Sequence, residues 1–356
     1  MEFFKKHWKI ISCGIFIGIV ATLLQKFGNP ANMGVCVACF ERDIAGTLGL
    51  HRATLVQYIR PEILAFVIGS FVSSLTFKEF KPRGGSLPLV RFFLGFFAMM
   101  GALVFLGCPW RALLRLAGGD WNAIAALAGL VVGVFIGVQF IKGGYNLGRN
   151  YPAYKFTGLI MPLMMLGLLL LLIIRPLVPG GAPFFSAKGP GSQHAPILVS
   201  FGIAFFIGIF AQRTRFCTMG AVRDIVLIRD FHLASGVISL LIFAFLSNLM
   251  LGQFKPGFVD QPVAHTNQLW TFLGMVLSGL AYALAGGCPG RQLFLSGEGD
   301  TDAGVFVIGM IVGAGFAHNF GIAASPTGIG PWSAFAVIVG ILFCIATGIF
   351  MRKKIA

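Results

Sequence analysis

The sequence predicts an all-α polytopic membrane protein, built as two inverted-topology repeats with about ten spans and four re-entrant or half-membrane helices. Three observations carry that expectation. Of 356 residues, 57% are hydrophobic and 11% charged, with a mean hydropathy of +0.87. A soluble domain carries about 25% charged residues, so this chain lacks the material to cover a water-exposed surface. Apolar runs of the roughly 17 to 25 residues that cross a bilayer recur along its length. Finally, two cysteine motifs recur in order with one common shift. The excess of 27 Lys and Arg over 12 Asp and Glu sits in short loops between apolar runs. That is the pattern of a membrane protein's loops rather than of a nucleic-acid surface.

Taken in order, the spans fall near 10–28, 60–77, 92–107, 121–141, 156–174, 196–212, 232–251, 268–287, 302–322 and 331–351. The first follows Lys5, Lys6 and Lys9 and ends in Gln25-Lys26-Phe27-Gly28-Asn29-Pro30 without a small-x-small cleavage site, so it reads as an uncleaved span. Placing the N-terminus in the cytoplasm puts Lys78, Lys81, Arg83, Arg91, Lys142, Arg149, Lys155, Arg352, Lys353 and Lys354 inside as well. The opposite loop 252–267 then holds only Lys255, which supports both termini inside. Four segments, 31–52, 108–119, 213–229 and 288–299, are too short or too polar to cross alone. Irregular backbone at membrane depth survives only inside protein or against a water-filled cavity, which makes these the re-entrant helices.

The same four segments hold the repeat. Cys36 is followed by Arg42 and Asp43, and Cys217 by Arg223 and Asp224 at the same spacing. Gly107-Cys108-Pro109-x-Arg111 ends in Asp120, and Gly287-Cys288-Pro289-x-Arg291 ends in Asp300, each Asp twelve residues past its Cys. The shifts are 181 and 180 residues. The chain therefore divides into a first membrane repeat, 1–175, a Pro/Gly-rich linker, 176–195, and a second repeat, 196–356. Five spans per half invert the second half, and inverted repeats with broken helices meeting at the midplane are a transporter architecture.

Proline is favoured at the first helical position, so Pro109 and Pro289 place Cys108 and Cys288 at N-caps. Unpaired amides and the helix dipole give such a position partial positive charge, and Arg111 and Arg291 stand one turn in. That combination attracts anions, and sulfur side chains suit an anion with a soft sulfur or selenium atom. The Arg42-Asp43 and Arg223-Asp224 pairs read as self-neutralising structural charges. Cys13 and Cys344 sit in ordinary spans and read as small hydrophobes. Cys39 has Gly220 as its counterpart, and Cys36-x-x-Cys39 with His51 does not complete a metal ligand set. No metal site, catalytic residue or resident cofactor is expected. The acidic stretch Glu298, Asp300 and Asp302 reads as a solvated turn, Glu62 as an interfacial helix start, and His318 as a satisfied buried histidine.

Across nearly its whole length the chain resembles the YeeE/YedE group of bacterial inner-membrane proteins. Asn32 to Cys39, Leu50-His51-Arg52, Lys81-Pro82-Arg83-Gly84-Gly85 and Gly107-Cys108-Pro109 are most similar to its YedE branch, described as selenium transporters linked to selenium metabolism. The wider family includes thiosulfate-uptake proteins of hourglass shape, whose central loops carry functional cysteines. The resemblance implies a bacterial inner-membrane location and a pathway through Cys36, Cys108, Cys217 and Cys288. It puts selenium species first as cargo and thiosulfate second. A membrane thiol oxidoreductase is the competing class, and a sulfur relay that hands cargo to a cytoplasmic carrier protein is compatible with transport. Beyond the lipid bilayer, the partners expected are the small anion and such a carrier, with no nucleic acid.

Overall fold

The computed structural model describes residues 2–176 and 181–352, with side chains from Lys5 onward. Lys353 and Lys354, and the linker stretch 177–180, lie outside the described residues. The first half runs α1 (Glu2–Lys26), α2 (Val37–Thr47), α3 (Pro61–Thr76), α4 (Pro88–Phe105), α5 (Pro109–Ala117), α6 (Asn122–Lys142) and α7 (Lys155–Ile174). The second runs α8 (Ile197–Thr214), α9 (Thr218–Ile228), α10 (His232–Met250), α11 (Gln268–Ala285), α12 (Pro289–Gly297), α13 (Thr301–Asn319) and α14 (Ser333–Phe350). Both halves read long, short, long, long, short, long, long. The ten expected spans are the ten long helices, and the four anomalous segments are α2, α5, α9 and α12.

Among the described residues, nine helical stretches are long and apolar enough to cross a membrane. The tenth helix, α3, has 16 residues and reaches roughly 24 Å. Its first seven residues are fully buried, so it starts inside protein rather than in lipid. The only sheet among the described residues is a two-residue antiparallel ribbon, β1 (Arg83–Gly84) with β2 (Tyr151–Pro152).

The halves interlock. Helix α1 lies along α10 and α8 along α3; α6 lies along α11 and α13 along α4; α4 and α11 cross each other at the centre. Exchanging the halves interchanges these pairs. Glycines make the close approach possible: a Cβ at Gly95, Gly101, Gly129, Gly133 or Gly309 would collide with a backbone oxygen of the facing helix. The last helices break the exchange, since α7 packs on α3, α12 and α13 while α14 packs on α4, α6 and α11.

Loops obey the same exchange. Gly119 and Gly299 both adopt positive φ, 93° and 95°, at the turn before Asp120 and Asp300. That region is nearly closed to other residues, which fixes glycine at both places. Lys255 and Gly257 donate backbone bonds to Gly118 and Gly119, as Lys81 and Arg83 do to Glu298 and Gly299. The acidic stretch is not the solvated turn expected from sequence. Glu298 and Asp300 are 9% exposed and Asp302 is 2%. Arg83 binds Glu298 and Asp300, and Arg91 binds Asp302, so basic residues folded over the stretch bury it. Glu62 is likewise buried and accepts from Asn29 at 2.6 Å. Nor is His318 satisfied: its Nε2 has no partner, and its ring stacks on His51 at 4.3 Å.

Candidate functional site: two cysteine stations

All four repeat cysteines occupy helix N-caps in extended conformation, with Cys36 on α2, Cys108 on α5, Cys217 on α9 and Cys288 on α12. Two of the sulfurs do the capping themselves. Cys36 Sγ accepts from the Cys39 amide at 3.4 Å and Cys217 Sγ from the Gly220 amide at 3.2 Å. Pro109 and Pro289 begin α5 and α12 as their missing N–H groups favour. Each half thus turns two positive helix ends toward two sulfurs.

In the first station, Cys36 Sγ and Cys108 Sγ are 3.9 Å apart, and both are free thiols. Cys39 joins them through Arg111, whose Nη1 lies 3.5 Å from Cys39 Sγ and also donates to Leu106 O. The other Arg111 nitrogen donates to Pro262 O and Val263 O, at 3.3 and 3.1 Å, from the loop before α11. Leu106 and Val263 both hold positive φ, 67° and 49°. For a β-branched residue that conformation is a strained exception, and strain of this kind gathers at functional sites. Here it aims two carbonyls at one guanidinium. Among the described residues Arg111 has no carboxylate in ion-pair range, and its Nε has no partner. It is a buried positive charge held by dipoles alone.

Paired charges surround it. Asp43 bridges Arg42 and Arg60, each at 2.7 Å, and Arg60 also donates to Pro190 O and Gln193 O of the inter-half segment. Arg115 holds Asp120 at 2.5 Å. The Arg-Asp motif is therefore a triad in the first half and a simple pair, Arg223–Asp224 at 2.8 Å, in the second.

The second station is built differently. Cys288 donates its backbone N–H to Cys217 Sγ at 3.4 Å. Arg291 turns away to Glu298 at 3.1 Å, so its charge is offset where that of Arg111 is not. Cys217 and Arg291 line a cavity of about 530 Å³ together with Arg215, Arg223 and His232. A second, strongly polar cavity of about 390 Å³ shares Arg215 and Arg291 and adds Lys81, Arg83 and Arg213. The lysines and arginines of that rim belong to the face bearing the N-terminus.

Trp110 separates the stations. It follows Cys108 by two residues and packs on Gly290, two residues past Cys288; a Cβ there would approach the ring to 3.2 Å. Its ring also meets Phe216, the residue before Cys217, at 5.6 Å, and Phe66 and Phe294 at 5.8 and 6.1 Å. Tyr282 of α11, fully buried, interacts electrostatically with both Cys108 and Cys288.

Residues 213–351, which contain Cys217, Arg223, Asp224, Cys288, Pro289 and Arg291, match the family described as sulphur transport. Outside this stretch lie the first station and its arginine. A curated relative, a thiosulfate transporter, TsuA, of Spirochaeta thermophila, is 35% identical over 106 residues. The alignment covers 28% of this chain and 30% of that relative. Within the matched stretch Cys217 and Cys288 occupy helix N-caps, Arg223 pairs with Asp224, and Arg291 faces Glu298 rather than an open cysteine. Sequence reasoning missed Arg60, Arg115, Trp110, Tyr282 and Glu41, since none has a like residue at the equivalent place of the other half, and recurrence was the signal that found the others.

Proposed function

We propose that this protein carries a small sulfur oxyanion, thiosulfate first, across the bilayer through the two cysteine stations. One observation carries the reading: a cysteine pair buried beside a guanidinium with no carboxylate partner. Of the four buried arginines near the first station, Arg42 and Arg60 share Asp43 and Arg115 holds Asp120, while Arg111 has no carboxylate in ion-pair range. A buried charge normally has a partner, and a dianion such as thiosulfate would supply it. Its terminal sulfur would lie against the thiols and its oxygens toward Arg111 and the helix N-termini.

The division into repeats 1–175 and 196–356, with the second half inverted, gives the stations opposite faces, and cargo would step from one to the other past Trp110. In the orientation with both termini inside, the arginine-lined cavity of the second station is cytoplasmic, where a carrier protein would receive the cargo. The matched relative's name favours thiosulfate over selenium as cargo. Selenium oxyanions share the charge and the soft atom, so they are the comparison to run. In proteoliposomes, labelled thiosulfate is expected to enter saturably and Cys108→Ser to abolish it. Selenite entering in preference would move the protein to selenium. Entry of neither, with the carrier absent or supplied, would overturn transport.

A further inference from the structure

Glu41 lies on α2, five residues past Cys36, and is fully buried. Neither of its carboxyl oxygens has a hydrogen-bond partner. Every other buried carboxylate among the described residues has at least one: Asp43, Asp120, Glu298, Asp300 and Asp302 meet arginines, and Glu62 meets Asn29. The equivalent residue of the second half, five past Cys217, is Val222. The helix therefore does not need an acid at this place, and an apolar residue would be the cheaper occupant.

The surroundings offer no fixed charge to hold it. Helix α2 packs on α3, α4, α12 and α13. Four of their ionisable groups are engaged elsewhere, Glu62 with Asn29, Arg91 with Ser86, Arg291 with Glu298 and Asp302 with Arg91, while His318 stacks on His51 with its Nε2 unpartnered. On its own helix, Arg42 and Asp43 bind each other. Tyr282 of α11, fully buried, lies within electrostatic reach of Glu41 and of Cys108 and Cys288. The carboxyl thus sits beside the route between the stations, free to change protonation without breaking an ion pair.

We propose that Glu41 is the proton-binding group of the pathway: it takes a proton from water on the first station's face when the anion occupies that station and releases it to water on the second station's face when the anion leaves there, so that one proton crosses with each anion. The anion's negative charge compensates the loss of the carboxylate, and the neutral acid lets a dianion pass a site that a carboxylate would repel. This rests on the transport reading above, and the test separates the two.

Wild type and Glu41→Gln, which keeps the shape of the neutral acid, are compared in proteoliposomes for labelled thiosulfate exchange without a pH gradient and for net uptake under an inward proton gradient. Internal pH is followed with a trapped dye. Wild type is expected to accumulate thiosulfate with proton entry. Glu41→Gln should still exchange, at a reduced rate, while gradient-driven uptake and proton entry fall by roughly tenfold or more. Equal losses in both assays would reduce Glu41 to packing, and retained proton entry would remove it from coupling. If wild type does not exchange thiosulfate, the transport reading fails. Where wild type does exchange, infrared difference spectra on adding thiosulfate decide this proposal alone: a carboxylic-acid C=O band that responds to the anion and is missing in Glu41→Gln upholds it, and no such band overturns it.

Discussion

The two cysteine stations share a helix plan and differ in what decorates it. Each has two short helices with sulfurs at their N-caps. In the first, Arg111 lacks a counter-charge and Cys36, Cys39 and Cys108 are at most 1% exposed. In the second, Arg291 has Glu298, and Cys217 opens onto a cavity of about 530 Å³. The same helix plan thus carries a sealed, positively charged pocket in one place and a site open to a cavity in the other. The common features are backbone features, set by Pro, Gly and Asp at turns. The differing ones are side chains at equivalent positions: Cys39 against Gly220, Glu41 against Val222, Trp110 against Gly290, Leu106 against Gly286.

The largest effect that would break this comparison is expected at the sulfurs. Cys108→Ser and Cys288→Ser keep size and hydrogen bonding but remove the soft atom, and thiosulfate uptake should fall by roughly a hundredfold in each, about 2.7 kcal/mol, with insertion unchanged. Wild-type uptake in either variant would reduce its cysteine to packing. Next come the arginines. Arg111→Met should cost roughly tenfold or more in uptake, and Arg291→Met about threefold, because only the former removes an uncompensated charge. Equal losses would erase the electrostatic distinction between the stations.

How far the sequence reached follows the same line. The ten long helices, the four short ones and the N-cap cysteines were legible because hydropathy and an exact recurrence report backbone organisation. The burial of Glu298, Asp300 and Asp302 was not, because the arginines that cover it come from residues 83 and 91, more than two hundred positions earlier. Glu41, Trp110 and Tyr282 left no trace either. A single polar or aromatic residue in an apolar context shows its role only once its neighbours are known.

Smaller effects sharpen the comparison. A membrane-impermeant thiol reagent applied from the face bearing the cavity should modify Cys217 roughly tenfold faster than Cys36 or Cys108, as read by mass spectrometry, since thiol reaction requires access. Gly290→Ala would press a methyl group against Trp110, 3.2 Å away, and should slow uptake severalfold at a stability cost of about 1 kcal/mol. The slightest change is expected at the rim. The hydrogen bond from Gln212, with the adjacent Arg213 guanidinium, holds the Glu79 carboxyl below its usual range. Its contribution to stability is therefore present above the ordinary carboxylate value and is lost as pH falls through the lowered one. Wild type and Glu79→Gln should differ slightly in thermal midpoint at neutral pH and coincide in acid.

The glycine contacts between α4, α6, α11 and α13 have a kinetic consequence. Where backbones touch without side chains between them, as at Gly101 against Gly274, rocking one half over the other would open seams along the entire frame at once. Rotation of a single indole is a far smaller movement. On the transport reading proposed above, the uptake rate should respond weakly to bilayer thickness, which acts on helices and not on rings buried among them.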